Sequence, residues 1–326
     1  MKGIFVYEYL SGGGEMVSSD AVGEAASGEL LAMGQAMRDA IAVDLLRLED
    51  YDVSVATCER AAPVPEGARP VMPRAGETAF DFLLREGDAQ HRVWVVAPET
   101  GGLLAQFQAR IDPGRWLGCD GPAIRLTTTK RATLMRLADA GITTPLAFEH
   151  APQITRWVVK PDDGAGAVAT RLHGNPEAAW NDWSTRSRAG CPMVIEPWVD
   201  GPALSLSLLC SEERTELLSI NRQHLVLDDE GLLSFQGVEV NVLPLTGPRG
   251  GALSVLAARV AGSVPGLRGF VGIDLVWHAH RGPVVIEINP RVTCAYVGLS
   301  HALGRNLAAE VIAAHARQEA AHGNGA

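Results

Sequence analysis

The sequence predicts an α/β chain whose first part is built on a parallel sheet and whose remainder is α+β, with largely antiparallel sheets. Two observations predict this. In the first part, short and nearly continuous apolar runs alternate with helical patterns, the signature of a parallel sheet covered on both faces. In the second part, apolar runs follow one another at short spacing with turn residues between them, the signature of hairpins.

The elements follow in order. Residues 2–9 read as a buried strand. Residues 27–47 have helical periodicity, with Leu30, Leu31, Met33, Met37, Ile41, Leu45 and Leu46 on one broad face. Strands are expected at residues 51–58 (YDVSVATC) and 92–99 (RVWVVAPE), and helices at 78–86 and 101–111. A first domain therefore closes at residue 117. Residues 127–140 read as a helix, capped by Thr127, Thr128 or Thr129 and ending at Gly141 ahead of Pro145. Strands and hairpins are expected within residues 156–173, 191–210 and 215–229, and a helix at 253–261. A hairpin at 270–291 turns at Arg281-Gly282, a helix at 306–321 closes the chain, and residues 322–326 read as a frayed tail. Internal repeats and low-complexity blocks are absent from the sequence.

Composition narrows the function classes. The 326 residues carry 28 basic and 38 acidic side chains, a net charge of −10. Neither a nucleic-acid nor an anionic-membrane partner is expected of such a chain, while a local basic pocket for an anionic ligand stays open. The five cysteines are scattered and form no C-x-x-C pair, so reduced thiols are expected rather than disulfides or a zinc site. The apolar run at residues 4–7 is too short for a signal-peptide core, and no run approaches the roughly 20 apolar residues that span a bilayer. The expectation is a soluble, cytoplasmic chain.

The residues with chemistry lie mostly after residue 118. Asp274 sits in one apolar strand, while Glu287 and Asn289 sit two apart in the next and project from one face. Paired as a hairpin, they gather three hard oxygen donors suited to a Mg²⁺ that keeps waters and is shared with phosphates. One acidic residue in a strand reads as a solvated outer-face group; three oxygen donors in apolar strands do not. Lys160 ends another apolar strand and runs into "PDDGAGA", where Gly164 and Gly166 let backbone N–H groups approach phosphate oxygens. A hairpin turn with a snorkelling lysine reads that segment equally well. Lys130 alone reads as a surface lysine. In "VIEPWVDG", Glu196 and Asp200 mark a strand-to-turn junction, which an adenine-contacting hinge shares with many other junctions.

Taken in order, Lys130, Lys160 with its glycine loop, Glu196-Pro-Trp-Val199, Asp274 and Glu287-x-Asn289-Pro-Arg291 resemble the ATP-grasp superfamily over roughly residues 118–315. The resemblance implies a Rossmann-like pre-ATP-grasp domain at 1–117, a small ATP-grasp lobe at 118–195, a C-terminal lobe at 196–315 and a tail at 316–326. It implies ATP and Mg²⁺, with Mn²⁺ as a substitute. Lys130 and Lys160 would contact the phosphates, and the loop holding Asp163, Gly164 and Gly166 would close over them. Glu196 and the Val199 backbone would line the adenine pocket. Asp274, Glu287 and Asn289 would hold the metal, with Glu287 bridging, and Arg291 would steady the transferred phosphoryl group. The chain departs from the pattern at Ala203, where many members place an acidic residue for the ribose hydroxyls; Asp200 is the substitute within reach along the chain.

The activity so implied is ATP-dependent carboxylate–amine ligation through an acyl phosphate. The stretches "FVYEYLSGGG", "VVAPETGGLL" and "INPRVTCAYVGLS" are similar to an archaeal and methylotroph ATP-grasp group that includes the tyramine–glutamate ligase of methanofuran biosynthesis. That similarity implies glutamate joined to tyramine or a related aromatic amine, and it leaves room for a homodimer. Arg291 and Arg222 would hold the glutamate α-carboxylate, although Arg222 reads equally as a surface strand residue. Ser11, Gly12 and Gly13 would form a substrate-side loop facing the ATP site. An NAD oxidoreductase is the rival reading of those glycines, but Ser18 stands where G-x-G-x-x-G needs its third glycine, and the helix begins too late. A non-catalytic nucleotide binder is the other rival, and it has no need of the three metal-site oxygens; within the ligases, one for another amino-acid or peptide substrate stays open.

Overall fold

The computed structural model describes residues 1–15, 24–151, 154–164 and 166–322. The first domain contains β1 (Lys2–Glu8), α1 (Glu24–Leu46), β2 (Tyr51–Ala56), β3 (Arg69–Val71), α2 (Ala79–Gly87), β4 (Arg92–Val96) and α3 (Leu103–Gln108). Its sheet runs β3-β2-β1-β4 and is parallel throughout. Alternation along β1 shows why the strand is apolar on both faces. Phe5 and Tyr7 pack with Phe82 and Phe107, while Ile4 and Val6 pack with Met37, Ile41 and Leu45 of α1. The expected helix at 101–111 is shorter than its pattern, because Gly101 and Gly102 both take positive φ (64° and 67°) and α3 starts only at Leu103.

The expected helix at 127–140 is two helices, α4 (Gly121–Thr128) and α5 (Lys130–Asp139). Thr129 is extended (ψ 104°) and separates them. The threonines stabilise this break: the Thr127 and Thr128 hydroxyls donate back to α4 carbonyls, and that of Thr133 donates to the carbonyl of Leu126. The break places Lys130 in the first turn of α5. Asp162 caps that turn, its carbonyl accepting from Lys130 N–H at 2.9 Å and its carboxylate from Arg131 N–H at 3.0 Å.

Next come β5 (Trp157–Pro161), β6 (Arg171–His173), α6 (Pro176–Arg188) and β7 (Met193–Pro197), forming an antiparallel sheet of order β6-β5-β7. The second antiparallel sheet contains β8 (Ala203–Cys210), β9 (Thr215–Leu227), β10 (Leu233–Leu243), β11 (Gly269–His278) and β12 (Gly282–Asn289), in the order β10-β9-β8-β11-β12. Between β10 and β11 lies α7 (Gly247–Ser263), which begins earlier than the periodic residues alone suggest because Pro248 sits in its first turn. The chain closes with α8 (Leu299–Leu303) and α9 (Leu307–His322). α9 thus extends into the expected tail, of which residues 323–326 lie outside the described residues.

Buried polar contacts fix the first domain to the rest. The Asp44 carboxylate of α1 accepts from the Tyr296 hydroxyl at 2.9 Å and from the Ser300 hydroxyl. Just past the first domain, the Gly118 N–H donates to His315 Nε2 of α9 at 3.0 Å. Among the described residues no helix is long and apolar enough to cross a membrane.

Candidate active site

The ends of β1 and β4, the small sheet, and one face of the larger sheet enclose a cleft of about 380 Å³. Its acidic corner comes from the β11–β12 hairpin, where Asp274 stands directly opposite Glu287. Asn289 Nδ2 donates to Asp274 Oδ2 at 3.1 Å. Burial, and then the Glu287 charge beside it, push the Asp274 carboxyl up to about 8. Burial acts to raise Glu287 as well, but Lys130 and Lys160 outweigh it and hold that carboxyl below its usual range. Two partly buried carboxylates facing each other repel unless a proton or a cation lies between them. Among the described residues no cluster of three or more His, Cys, Asp or Glu side chains is arranged to hold a metal ion. The donor set is two carboxylates and the Asn289 amide oxygen, which fits Mg²⁺ retaining several waters.

Two buried lysines face this corner. Lys130 Nζ lies 3.3 Å from Glu287 Oε2 and donates to the Gly164 carbonyl. Lys160 Nζ lies 2.9 Å from Glu196 Oε2, with Lys160 6% and Glu196 1% exposed. Strand register explains that pair: Lys160 is opposite Val194, so Glu196 is its diagonal neighbour on the same face of the β5–β7 pair. Gly164, Gly166 and Val199 line the cleft with them. The loop holds non-glycine residues Ala167 and Ala169 at positive φ (61° and 54°), a conformation kept only where the surroundings impose it.

Asp163 is placed differently from its expected role. Its carboxylate accepts from the Gly101 N–H at 2.8 Å, and its carbonyl accepts from the Thr100 hydroxyl at 3.3 Å. It fastens the glycine loop to the first domain instead of lining the cleft. Such a bond contributes about 1 kcal/mol net, so Asp163→Ala is expected to raise the KM for ATP roughly two- to tenfold while the melting temperature stays nearly constant. An unchanged KM in steady-state kinetics would remove the fastening role.

Arg291 also lines the cleft, and its guanidinium is held from the first domain. Nε lies 3.0 Å from Glu99 Oε1, and Nη2 donates to Glu99 Oε2 at 3.0 Å, a two-point contact. Burial acts to lower Arg291, and the Glu99 carboxylate overrides it, so the guanidinium stays charged. Glu99 was not singled out in the sequence; its signal was an acidic residue closing an apolar strand.

Three expected placements are corrected. Asp200 does not reach the cleft: its carboxylate pairs with exposed Arg156 and accepts from Trp198 Nε1 at 3.0 Å, leaving Ala203 at the cleft wall. Alternation along β9 turns Gln223 and Leu225 into the cleft and Arg222 out of it, where Arg222 lies half-exposed, 3.7 Å from Glu239. Ser11, Gly12 and Gly13 form a folded turn against β1 and do not line the cleft. The Gly12 N–H donates to the Glu8 carbonyl at 2.8 Å, and a Cβ there would stand 2.9 Å from the Tyr7 ring. That turn brings Glu8, Tyr9 and Leu10 to the cleft in its place. Gln223, which lines the cleft together with Asp274, was likewise not foreseen.

A family model described as an ATP-grasp domain matches residues 127–295, more than half of the chain. The chain belongs to the ATP-grasp family. A pre-ATP-grasp domain model matches residues 51–124, so the expected pairing of a pre-ATP-grasp with an ATP-grasp domain stands. No curated protein matches the chain. Solved structures share the fold at low identity. An ATP-grasp superfamily protein from Archaeoglobus fulgidus is 20% identical with a TM-score of 0.63, over 96% of this chain and 88% of that one. The L-amino acid ligase from Bacillus licheniformis is 15% identical with a TM-score of 0.64, over 96% and 73%. The D-alanine–D-alanine ligase from Bacillus anthracis is 14% identical with a TM-score of 0.65, over 99% and 100%.

Proposed function

We propose that this chain is an ADP-forming carboxylate–amine ligase that joins glutamate to tyramine or a related aromatic amine in the making of a methanofuran-type cofactor. The observation that carries the ligase reading is the convergence of Lys130, Lys160 and Arg291 on the cleft that also holds Asp274, Glu287 and Asn289. The short stretches noted in the sequence support the choice of substrates. In this reading Asp274, Glu287 and Asn289 hold Mg²⁺, which neutralises phosphate charge when bound. Lys130 and Lys160 neutralise further phosphate oxygens, and the glycine loop offers backbone donors. An oxygen of the substrate carboxylate attacks the γ-phosphorus, and the bond to the ADP oxygen breaks. The amine nitrogen then attacks the acyl carbon, inorganic phosphate leaves, and the nitrogen loses a proton.

Arg291, fixed by Glu99, is placed to steady the phosphoryl group in both steps. No nucleophilic side chain is required. Cys294 lines the cleft, yet burial pushes its thiol up and keeps it unreactive as a nucleophile. The test is ADP release with glutamate against a panel of aromatic and aliphatic amines, with the product weighed by mass spectrometry. Amine-dependent ADP release and an amide of glutamate are expected. ATP binding without ADP release for every amine and amino acid tried would favour a non-catalytic binder.

A further inference from the structure

One acidic group in the cleft has no task in the phosphate chemistry. Glu8 ends β1, lines the same cleft as Arg291, and is 4% exposed. Its Oε1 accepts from the Leu10 N–H at 3.2 Å and its Oε2 from the Ser11 N–H at 2.8 Å. The Gly12 and Gly14 amides close the turn onto the Glu8 and Tyr9 carbonyls, which keeps those two donors in place. On the other side α1 passes so near that a Cβ on Gly34 would lie 2.6 Å from the carboxylate. Among the described residues no lysine, arginine or histidine forms an ion pair with it. Burial pushes the Glu8 carboxyl up, and Arg38 opposes this only at longer range, its own guanidinium being engaged by Asp39, Thr57 and the Ala62 carbonyl. The surrounding wall is apolar: Leu10, Leu30, Met33, Met37 and Val96.

We propose that Glu8 is the recognition group for a substrate ammonium, and that this end of the cleft takes a primary ammonium carried on an apolar body. The proposal rests on the ligase reading and adds to it the group that selects the nitrogen-bearing substrate. A carboxylate fixed in an apolar pocket binds a cation through charge-assisted hydrogen bonds about twice as strong as neutral ones. A neutral isostere leaves it buried and poorly paired, and sites that lose such a bond reject the analogue strongly. Methionines at positions 33 and 37 adapt to an irregular or aromatic body. Asp274, Arg291 and Cys294 line the same cleft as Glu8, so the subsite and the phosphoryl-handling residues share one cavity. The ammonium can come from the attacking amine or from the α-amino group of an amino-acid donor, since the two present the same chemistry.

Calorimetry on the full chain without ATP tests this with three probes: tyramine, tyrosol (its hydroxyl isostere) and glutamate. Wild-type protein is expected to bind an ammonium probe, tyramine at least tenfold more tightly than tyrosol if the subsite serves the attacking amine. Loss of glutamate binding alone in Glu8→Gln assigns it to the donor instead. In Glu8→Gln the ammonium preference falls to near unity while binding of a non-hydrolysable ATP analogue persists, which also confirms folding. Should that variant not fold, Gly34→Ala displaces the carboxylate from the other side and is expected to weaken the same probe. Equal affinity for tyramine and tyrosol with no binding of glutamate overturns the proposal, as does a preference retained in Glu8→Gln. ADP release without any ammonium preference sinks this subsite and spares the ligase; ammonium preference without ADP release does the reverse.

Discussion

Lys160→Ala is expected to abolish ADP release and, unlike loss of a surface lysine, to cost the fold about 3–5 kcal/mol. Lys160 and Glu196 face each other at 2.9 Å, both almost wholly buried. Glu196 Oε1 has no hydrogen-bond partner among the described residues, so Lys160 is what compensates that carboxylate. Truncating the lysine leaves a desolvated negative charge on Glu196 and removes a cation that also acts on Glu287. Lys160→Met combined with Glu196→Gln removes both charges at nearly constant volume. This double variant is expected to recover most of the stability and none of the turnover. Denaturant melts and a coupled ADP assay separate the two effects. Normal turnover in either variant would remove Lys160 from the phosphate site, and an unchanged melting midpoint in Lys160→Ala would contradict its pairing with Glu196.

Which of these features were readable beforehand follows from how local each one is. Asp274, Glu287 and Asn289 come from one hairpin, so a period of two and a turn at Gly282 were enough to gather them. The Lys160–Glu196 pair was hidden, because it depends on the register between β5 and β7, which β6 and α6 separate along the chain. α6 went unread although Asn175 caps it and Pro176 starts it, since its face toward the sheet buries little beyond Ala179. β10 went unread because two register shifts and Asn241 at φ 58° break its alternation. The glycines after β1 drew attention as a ligand loop. Their structural work is to fold back on β1 and hold Glu8, a residue whose only signal was an acid in an otherwise apolar strand. Glu99 gave the same kind of signal at the end of β4. Both are buried acids contributed by the first domain; Glu8 lines the cleft, and Glu99 holds Arg291, which does.

Glu287→Gln is expected to act on the metal rather than on the fold. The change keeps the shape of the side chain and removes one of two buried like charges, so Asp274 loses the neighbour that raises it after burial. Lys130 loses an ion-pair partner at 3.3 Å but keeps the Gly164 carbonyl as an acceptor. Opposing changes of this kind leave a melting temperature close to that of the wild type. The Mg²⁺ requirement should respond strongly: a neutral amide is a poor ligand for a hard cation, and even residues one layer out from a metal typically contribute 10–100-fold in affinity. A half-saturating Mg²⁺ concentration raised at least about tenfold is expected, with turnover depressed at every concentration reached. In thermal melts with a non-hydrolysable ATP analogue, added Mg²⁺ stabilises wild-type protein by mass action and should do so far less in the variant. A wild-type magnesium titration in Glu287→Gln would move the cation elsewhere in the cleft. The same result would leave Lys130 as the reason for the acidic pair, because a buried carboxylate beside a buried lysine can serve charge balance alone.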